Sequence, residues 1–141
     1  MTAHTYAYES PILTLQNVSM SFHNEPVLRD INAQVLDVTR PGMNQGQVVG
    51  FYGRSGIGKS VLCRIMAGLI APTAGTVEVG LAQQAVVPGM VGFVQQRYPL
   101  FDHRTLLDNL LVAAERKHAP AAARQHVETY LERFCLAPHR K

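Results

Sequence analysis

The sequence predicts an α/β fold, with strand patterning dominant as far as Val94 and helical patterning after Pro99. Three observations carry this. Apolar residues alternate with polar ones through Leu13–Phe22 and again through Ile31–Val35, the period of a half-buried strand. A short, almost wholly apolar run, Val48–Tyr52, is followed by a glycine-rich loop and then by an amphipathic segment. Two further segments beyond Pro99 repeat their apolar residues at helical spacing.

Each element follows from its residues. Leu13 and Leu15 set one alternating phase, and Val18, Met20 and Phe22 set another, so the first strand carries a bulge or bend near Asn17. Asn24-Glu25-Pro26 reads as a turn, and Ile31, Ala33 and Val35 give a second strand. Asp37–Gly46, with Pro41, Gly42 and Gly46, reads as a loop. Val48–Tyr52 reads as a strand buried on both faces. Val61, Leu62, Ile65, Met66 and Leu69 line one face of a helix over Lys59–Leu69, which Gly68 helps to end. Ala71–Gly75 is a turn, and Thr76–Val79 and Val91–Val94 are further strands. Thr105-Leu106-Leu107-Asp108 resembles a capping box, with Leu107, Leu110, Leu111 and Ala114 behind it. Pro120 stands at a first helical position, and Ala123, Val127, Tyr130, Leu131 and Phe134 form one face of the last helix.

Composition narrows the function. The 141 residues are 47% apolar and 16% charged, which fits a soluble globular domain and not a disordered one. A net charge of +3, with no stripe of Lys and Arg interleaved with aromatics, argues against a nucleic-acid partner. Cys63 and Cys135 match no zinc or redox spacing and read as small buried hydrophobes in a reducing compartment. No run is long enough to span a membrane, and no signal pattern opens the chain, so a cytosolic location is expected. The six histidines show no ligand-like pairing.

The chemistry lies in Gly53-Arg54-Ser55-Gly56-Ile57-Gly58-Lys59-Ser60, a phosphate-binding loop placed between strand and helix. Its glycines let backbone amides close on a phosphate with no Cβ in the way. Those amides form an anion nest, and the following helix adds partial positive charge at its leading end. Lys59 reaches the outer phosphates, and the Ser60 hydroxyl suits Mg²⁺, a cation that prefers oxygen. A nucleoside triphosphate, read as MgATP, is the expected ligand.

Beyond the loop, several runs resemble the N-terminal half of an ABC-transporter ATP-binding subunit. They are Leu15–Phe22 with Val27–Ile31, Ala67-Gly68-Leu69 with Pro72-Thr73, Gly75 and Val77, Val91–Phe101, and Thr105–Asn109. Together they span about Leu13 to Leu136. The resemblance implies a P-loop NTPase fold of ABC type, incomplete, with an antiparallel β subdomain and the start of a helical subdomain. Residues 1–98 would hold the ATP-binding core and residues 99–141 the beginning of the helical subdomain. It implies ATP and Mg²⁺ as cofactors and adenine stacking on Phe22. Residues Gly53, Arg54, Ser55, Gly56, Ile57, Gly58, Lys59, Ser60 and Val61 would contact the nucleotide. Alignment on Pro99-Leu100-Phe101 places the glutamine of the family's glutamine loop at Gln96, with Gln95 as the fallback. That glutamine touches Mg²⁺ and the attacking water, so Lys59 and Gln96 would be catalytic and Ser60 and Gln96 metal-binding. The implied partners are a transmembrane permease subunit and a second ATP-binding subunit, at the inner face of the cell membrane.

The departures also set expectations. Val61 stands where the family usually has Thr, so a hydroxyl for the α-phosphate is lost. Arg54 replaces the commoner Pro, and the Asp37–Gly46 connection is longer than usual. The Leu-Ser-Gly-Gly-Gln signature, an apolar run ending in Asp-Glu and the switch histidine do not occur in this sequence. The isolated chain is therefore expected to turn over negligible ATP and, with Val48–Tyr52 short of neighbours, to self-associate or be marginally stable. Two other readings stand beside this one. The first is another P-loop enzyme, a small-molecule kinase or a GTPase. Those place the loop near the chain start, and the guanine-reading Asn-Lys-x-Asp does not occur here. The second is a nucleotide-independent interaction module, for which Gln96–Asn109 would matter more than Lys59.

Overall fold

A computed structural model describes residues 6–40, 47–96 and 100–140. Residues Met1–Phe93 and Val94–Lys141 form two units.

The first unit is built on a four-stranded antiparallel sheet of spatial order β2-β1-β3-β4. Strand β1 is Ala7–Phe22, β2 is Glu25–Thr39, β3 is Ala74–Val79 and β4 is Gln84–Ala85. The expected phase change is real. Leu15 pairs with Ala33 and Val18 with Ile31, so β1 carries one residue more than its partner there. Asn17 takes the slack at φ 50°, and its N–H donates to Asn32 Oδ1 at 2.9 Å. The bulge turns both Leu15 and Val18 inward, and Val18 is completely buried. A second bulge on β2 centres on Asp30, at φ 48°, whose N–H donates to Ser19 Oγ at 2.9 Å.

The hairpin turn lies at His23-Asn24, one residue earlier than Asn24-Glu25-Pro26. Both residues have positive φ, 49° and 65°, the geometry of a type I′ turn, which matches strand twist. Pro26 pairs with Ser21 inside β2, an edge strand where proline is tolerated. Strand β2 also runs on to Thr39, taking in the first part of the expected Asp37–Gly46 loop, whose residues 41–46 lie outside the described residues. Strand β3 starts at Ala74, inside the expected Ala71–Gly75 turn.

Helix α1, Lys59–Met66, lies on this sheet. Ile65, fully buried, joins Leu15, Val18, Met20, Leu28 and Val77 in one core, with Val61, Leu62 and Met66 packed at its edge. Burying a side chain of this size contributes about 1.5–3 kcal/mol. The helix ends three residues short of Leu69 because the chain turns at Gly68. Leu69 N–H donates to Arg64 O and Gly68 N–H to Ile65 O, both at 2.9 Å, the paired bonds of a Schellman cap. Thr14, the one buried polar residue among the described residues, gives its hydroxyl hydrogen to Gln83 Oε1 at 2.6 Å.

Neither Val48–Tyr52 nor Val91–Val94 forms a strand. Val48 and Tyr52 are fully exposed, and no strand among the described residues pairs with either run. An apolar run becomes a strand only where a neighbour takes up its backbone hydrogen bonds, and here none does.

In the second unit α2, Leu106–Ala114, packs against α3, Pro120–Arg133. The N-cap half of the capping box forms, but the Asp108 carboxylate takes the Thr105 hydroxyl rather than the Thr105 backbone N–H. The Asp108 N–H donates to Thr105 Oγ1 at 3.1 Å, and that hydroxyl donates to Asp108 Oδ2 at 2.8 Å. Asn109 ties down the preceding loop, accepting from Phe101 N–H at 2.7 Å and donating to Thr105 O at 2.9 Å. On α3 the buried stripe is Ala123, Val127 and Leu131, while Tyr130 and Phe134 are exposed, narrower than the face expected. Cys135 is exposed rather than buried, and Cys63 is half-buried; both are free. Cys135 ends α3 at φ 57°, with its N–H on Glu132 O at 3.0 Å. A non-glycine residue is penalised in that conformation. Cys135→Gly is therefore expected to raise stability by roughly 0.5–1 kcal/mol, read as a higher urea midpoint of the helical circular-dichroism signal. No helix among the described residues is long and apolar enough to cross a membrane.

Candidate functional site

Residues Gly53–Ser60 form a bent loop that turns at Ser55-Gly56 and enters α1 at Lys59. Gly56 and Gly58 have positive φ, 83° and 100°, so the backbone curls back on itself. Glycine at position 58 is required twice over. Its φ disfavours a side chain, and a Cβ there would lie 2.9 Å from Leu28 Cδ2 and 3.1 Å from Val27 Cγ1. The β1–β2 hairpin thus walls one side of the loop, a contact between distant segments that no local spacing announces.

The loop's electrostatics follow from its ends. Helix α1 has no side-chain cap on its first turn and no acidic residue in it. Among the described residues, no backbone or side-chain acceptor engages the amides of residues 54–60. Lys59 Nζ donates to Gly53 O and to Arg54 O, each at 2.7 Å. The ammonium is thereby held across the start of the loop, beside free amides and a helix N-terminus. All three carry positive potential.

The other expected residues take up various positions. Ser60 is exposed on the first turn of α1, and Val61 is half-buried and packs on the core. Arg54, Ser55 and Ile57 are exposed. Phe22 is 42% exposed and pairs with Glu25 next to the hairpin turn, on the same hairpin as the Val27–Leu28 wall, so it is not a core aromatic. Gln96 is exposed and Gln95 half-buried, and both belong to the second unit. Arg97, Tyr98 and Pro99 lie outside the described residues. No group of three or more His, Cys, Asp or Glu among the described residues could hold a metal ion. The donors present fit a magnesium-bearing anion better than a bare metal: the hydroxyls of Ser55 and Ser60, an ammonium, a guanidinium and a row of amides.

The sequence model of the ABC transporter family matches residues 36–141, and the chain belongs to that family. It is 37% identical over 124 residues to the sulfate/thiosulfate import ATP-binding protein CysA of Synechocystis sp., covering 84% of this chain and 32% of that protein. It is 36% identical over 115 residues to CysA 2 of Rhizobium meliloti, covering 77% and 29%. The chain thus spans about a third of the length of these relatives. Among solved structures, an ATP-binding subunit of an ABC transporter superposes with a TM-score of 0.66 at 20% identity, over 92% of this chain and 52% of that one. A dimeric ATP-binding cassette in a post-hydrolysis state, bound to ADP and Pi, superposes at 0.61 and 22% identity, over 85% and 56%. The fold is that of an ABC ATP-binding domain, in part: the antiparallel sheet, the phosphate loop with its helix, and a pair of following helices.

Proposed function

We propose that this chain is the nucleotide-gripping part of an ABC-transporter ATP-binding subunit and that it binds MgATP along residues 53–61. The observation that carries the reading is Lys59, bonded to the carbonyls of Gly53 and Arg54 at the mouth of a loop whose amides have no acceptor among the described residues. A triphosphate would accept from those amides, and Lys59 would neutralise its outer groups. Ser60 would supply one oxygen to the magnesium ion, and the exposed ring of Phe22 would stack on the adenine. Val61, turned to the core, contributes only its backbone. Bound MgATP supplies the transferable phosphoryl group. An apolar run ending in Asp-Glu, which would supply the catalytic carboxylate, does not occur in this sequence, so phosphoryl transfer by the isolated chain is expected to be negligible.

The relatives are named for sulfate/thiosulfate import and ATP binding, and one solved neighbour is dimeric; in that setting this chain would act at the inner face of the membrane, with a permease subunit and a second ATP-binding subunit, to power uptake of a small oxyanion of the sulfate class. The test is titration of a fluorescent ATP analogue into the wild type and Lys59→Ala, with and without Mg²⁺. Saturable, Mg²⁺-enhanced binding that unlabelled ATP displaces and the substitution removes is the expected result. Binding by neither protein would overturn the reading and favour an interaction module.

A further inference from the structure

We infer that the groove between α2 and α3 is a binding site for a medium-chain carboxylate, an unbranched acyl chain with one anionic end. The groove lies within the second unit and offers about 530 Å³, a volume in the range of small-molecule sites. Its polar side chains gather at one end. Helices α2 and α3 are joined by a short connection, and Leu107 N–H donates to Arg140 O at 3.2 Å near the opposite end, so the two run antiparallel. The connection end of the groove carries Lys117, His118 and His126, the two imidazoles stacked with ring centres 4.9 Å apart. Leu106, Phe134 and Leu136 line the far end.

The charge is as one-sided as the shape. No carboxylate among the described residues lines the groove. Asp108 and Glu115 sit on the opposite face of α2, in a hollow shared with Arg104, and Glu128 lies 3.8 Å from Arg140. The Lys117 ammonium and both imidazoles have no hydrogen bond or ion pair among the described residues. One end therefore presents a cation and two ring N–H donors, and an apolar trough leads away from them. A neutral apolar guest would leave the donors unused, and a small inorganic anion would leave the trough wet. A carboxylate with a tail meets both needs, through charge-assisted hydrogen bonds at its head and burial of its methylenes. From His126 to Phe134 the helix advances eight residues, about 12 Å, the reach of a chain of roughly ten carbons.

The test is calorimetric titration of the full chain with hexanoate, octanoate and decanoate, with decanol as the uncharged control and phosphatidylglycerol vesicles as a separate arm. Affinity is expected to rise about threefold with each added methylene, since one side of the tail stays in water. Decanol is expected to bind about tenfold more weakly than decanoate. Lys117→Gln should lose about tenfold for decanoate and leave decanol unchanged. Ala113→Phe, which fills the trough, should weaken decanoate and decanol alike, with circular dichroism confirming that both variants are helical. Affinity independent of tail length, decanol binding as tightly as decanoate, or binding to vesicles without binding to decanoate would each overturn the inference.

Discussion

Lys59→Ala is expected to weaken MgATP binding by about 100-fold or more, the largest functional effect of any single change to the loop. Two losses combine. An ammonium facing phosphate oxygens at about 4 Å is worth on the order of 4 kcal/mol near a protein surface, before the desolvation of both groups is subtracted. A net loss of roughly 2.8 kcal/mol is a hundredfold change in dissociation constant. The same ammonium also bridges the carbonyls of Gly53 and Arg54, so its removal loosens the curl that presents the amides. Lys59→Arg separates the two losses. It keeps the charge but is too bulky to seat on both carbonyls, and an intermediate affinity is expected. Titration of the nucleotide, with circular dichroism to confirm folding, reads both variants. An unchanged affinity in Lys59→Ala would refute the assignment of this lysine.

Gly75→Ala is expected to be the most destabilising small substitution in the sheet, costing about 4 kcal/mol or more. Gly75 lies on β3 opposite the Asn17 bulge, between the pairs Gln16–Thr76 and Ser19–Ala74. The bulge turns the carbonyl oxygens of Gln16 and Asn17 onto Gly75, and a Cβ there would fall inside their van der Waals contact. The obstacle is backbone, so no rotamer relieves it; the strands must part. The position also has φ 84°, which any side chain disfavours. A domain with the usual 5–15 kcal/mol in hand would lose much of it. A urea midpoint close to that of the wild type would show that the strands yield more easily than this geometry implies.

The parts of the fold legible in the sequence are those written locally. The bulge at Asn17 showed because a phase change moves apolar residues from one face to the other. The Thr105–Asp108 cap and Pro120 showed because helix ends need particular donors and acceptors within one turn. The phosphate loop showed because glycine, lysine and serine at fixed offsets have few other reasons to occur together. What depends on distant partners did not show. Val48–Tyr52 has the composition of a central strand, but pairing is a property of two segments, and the described residues supply only one. Tyr130 and Phe134 share a helical face with Leu131, but α2 covers only the strip through Ala123, Val127 and Leu131. The bend and helix entry of residues 53–60 follow from their own sequence, whereas the wall that Val27 and Leu28 raise behind Gly58 does not.

That wall ties the phosphate loop to a hairpin some thirty residues upstream. Two segments in van der Waals contact cannot stiffen independently, so a guest that fixes the loop also damps the hairpin tip. Slower amide exchange at residues 22–28 when nucleotide is added would report this, although only Phe22 in that stretch is expected to touch the guest. The dependence runs both ways, because linkage is reciprocal. A substitution at Val27 that slackens the hairpin should release nucleotide faster without removing any group that touches it.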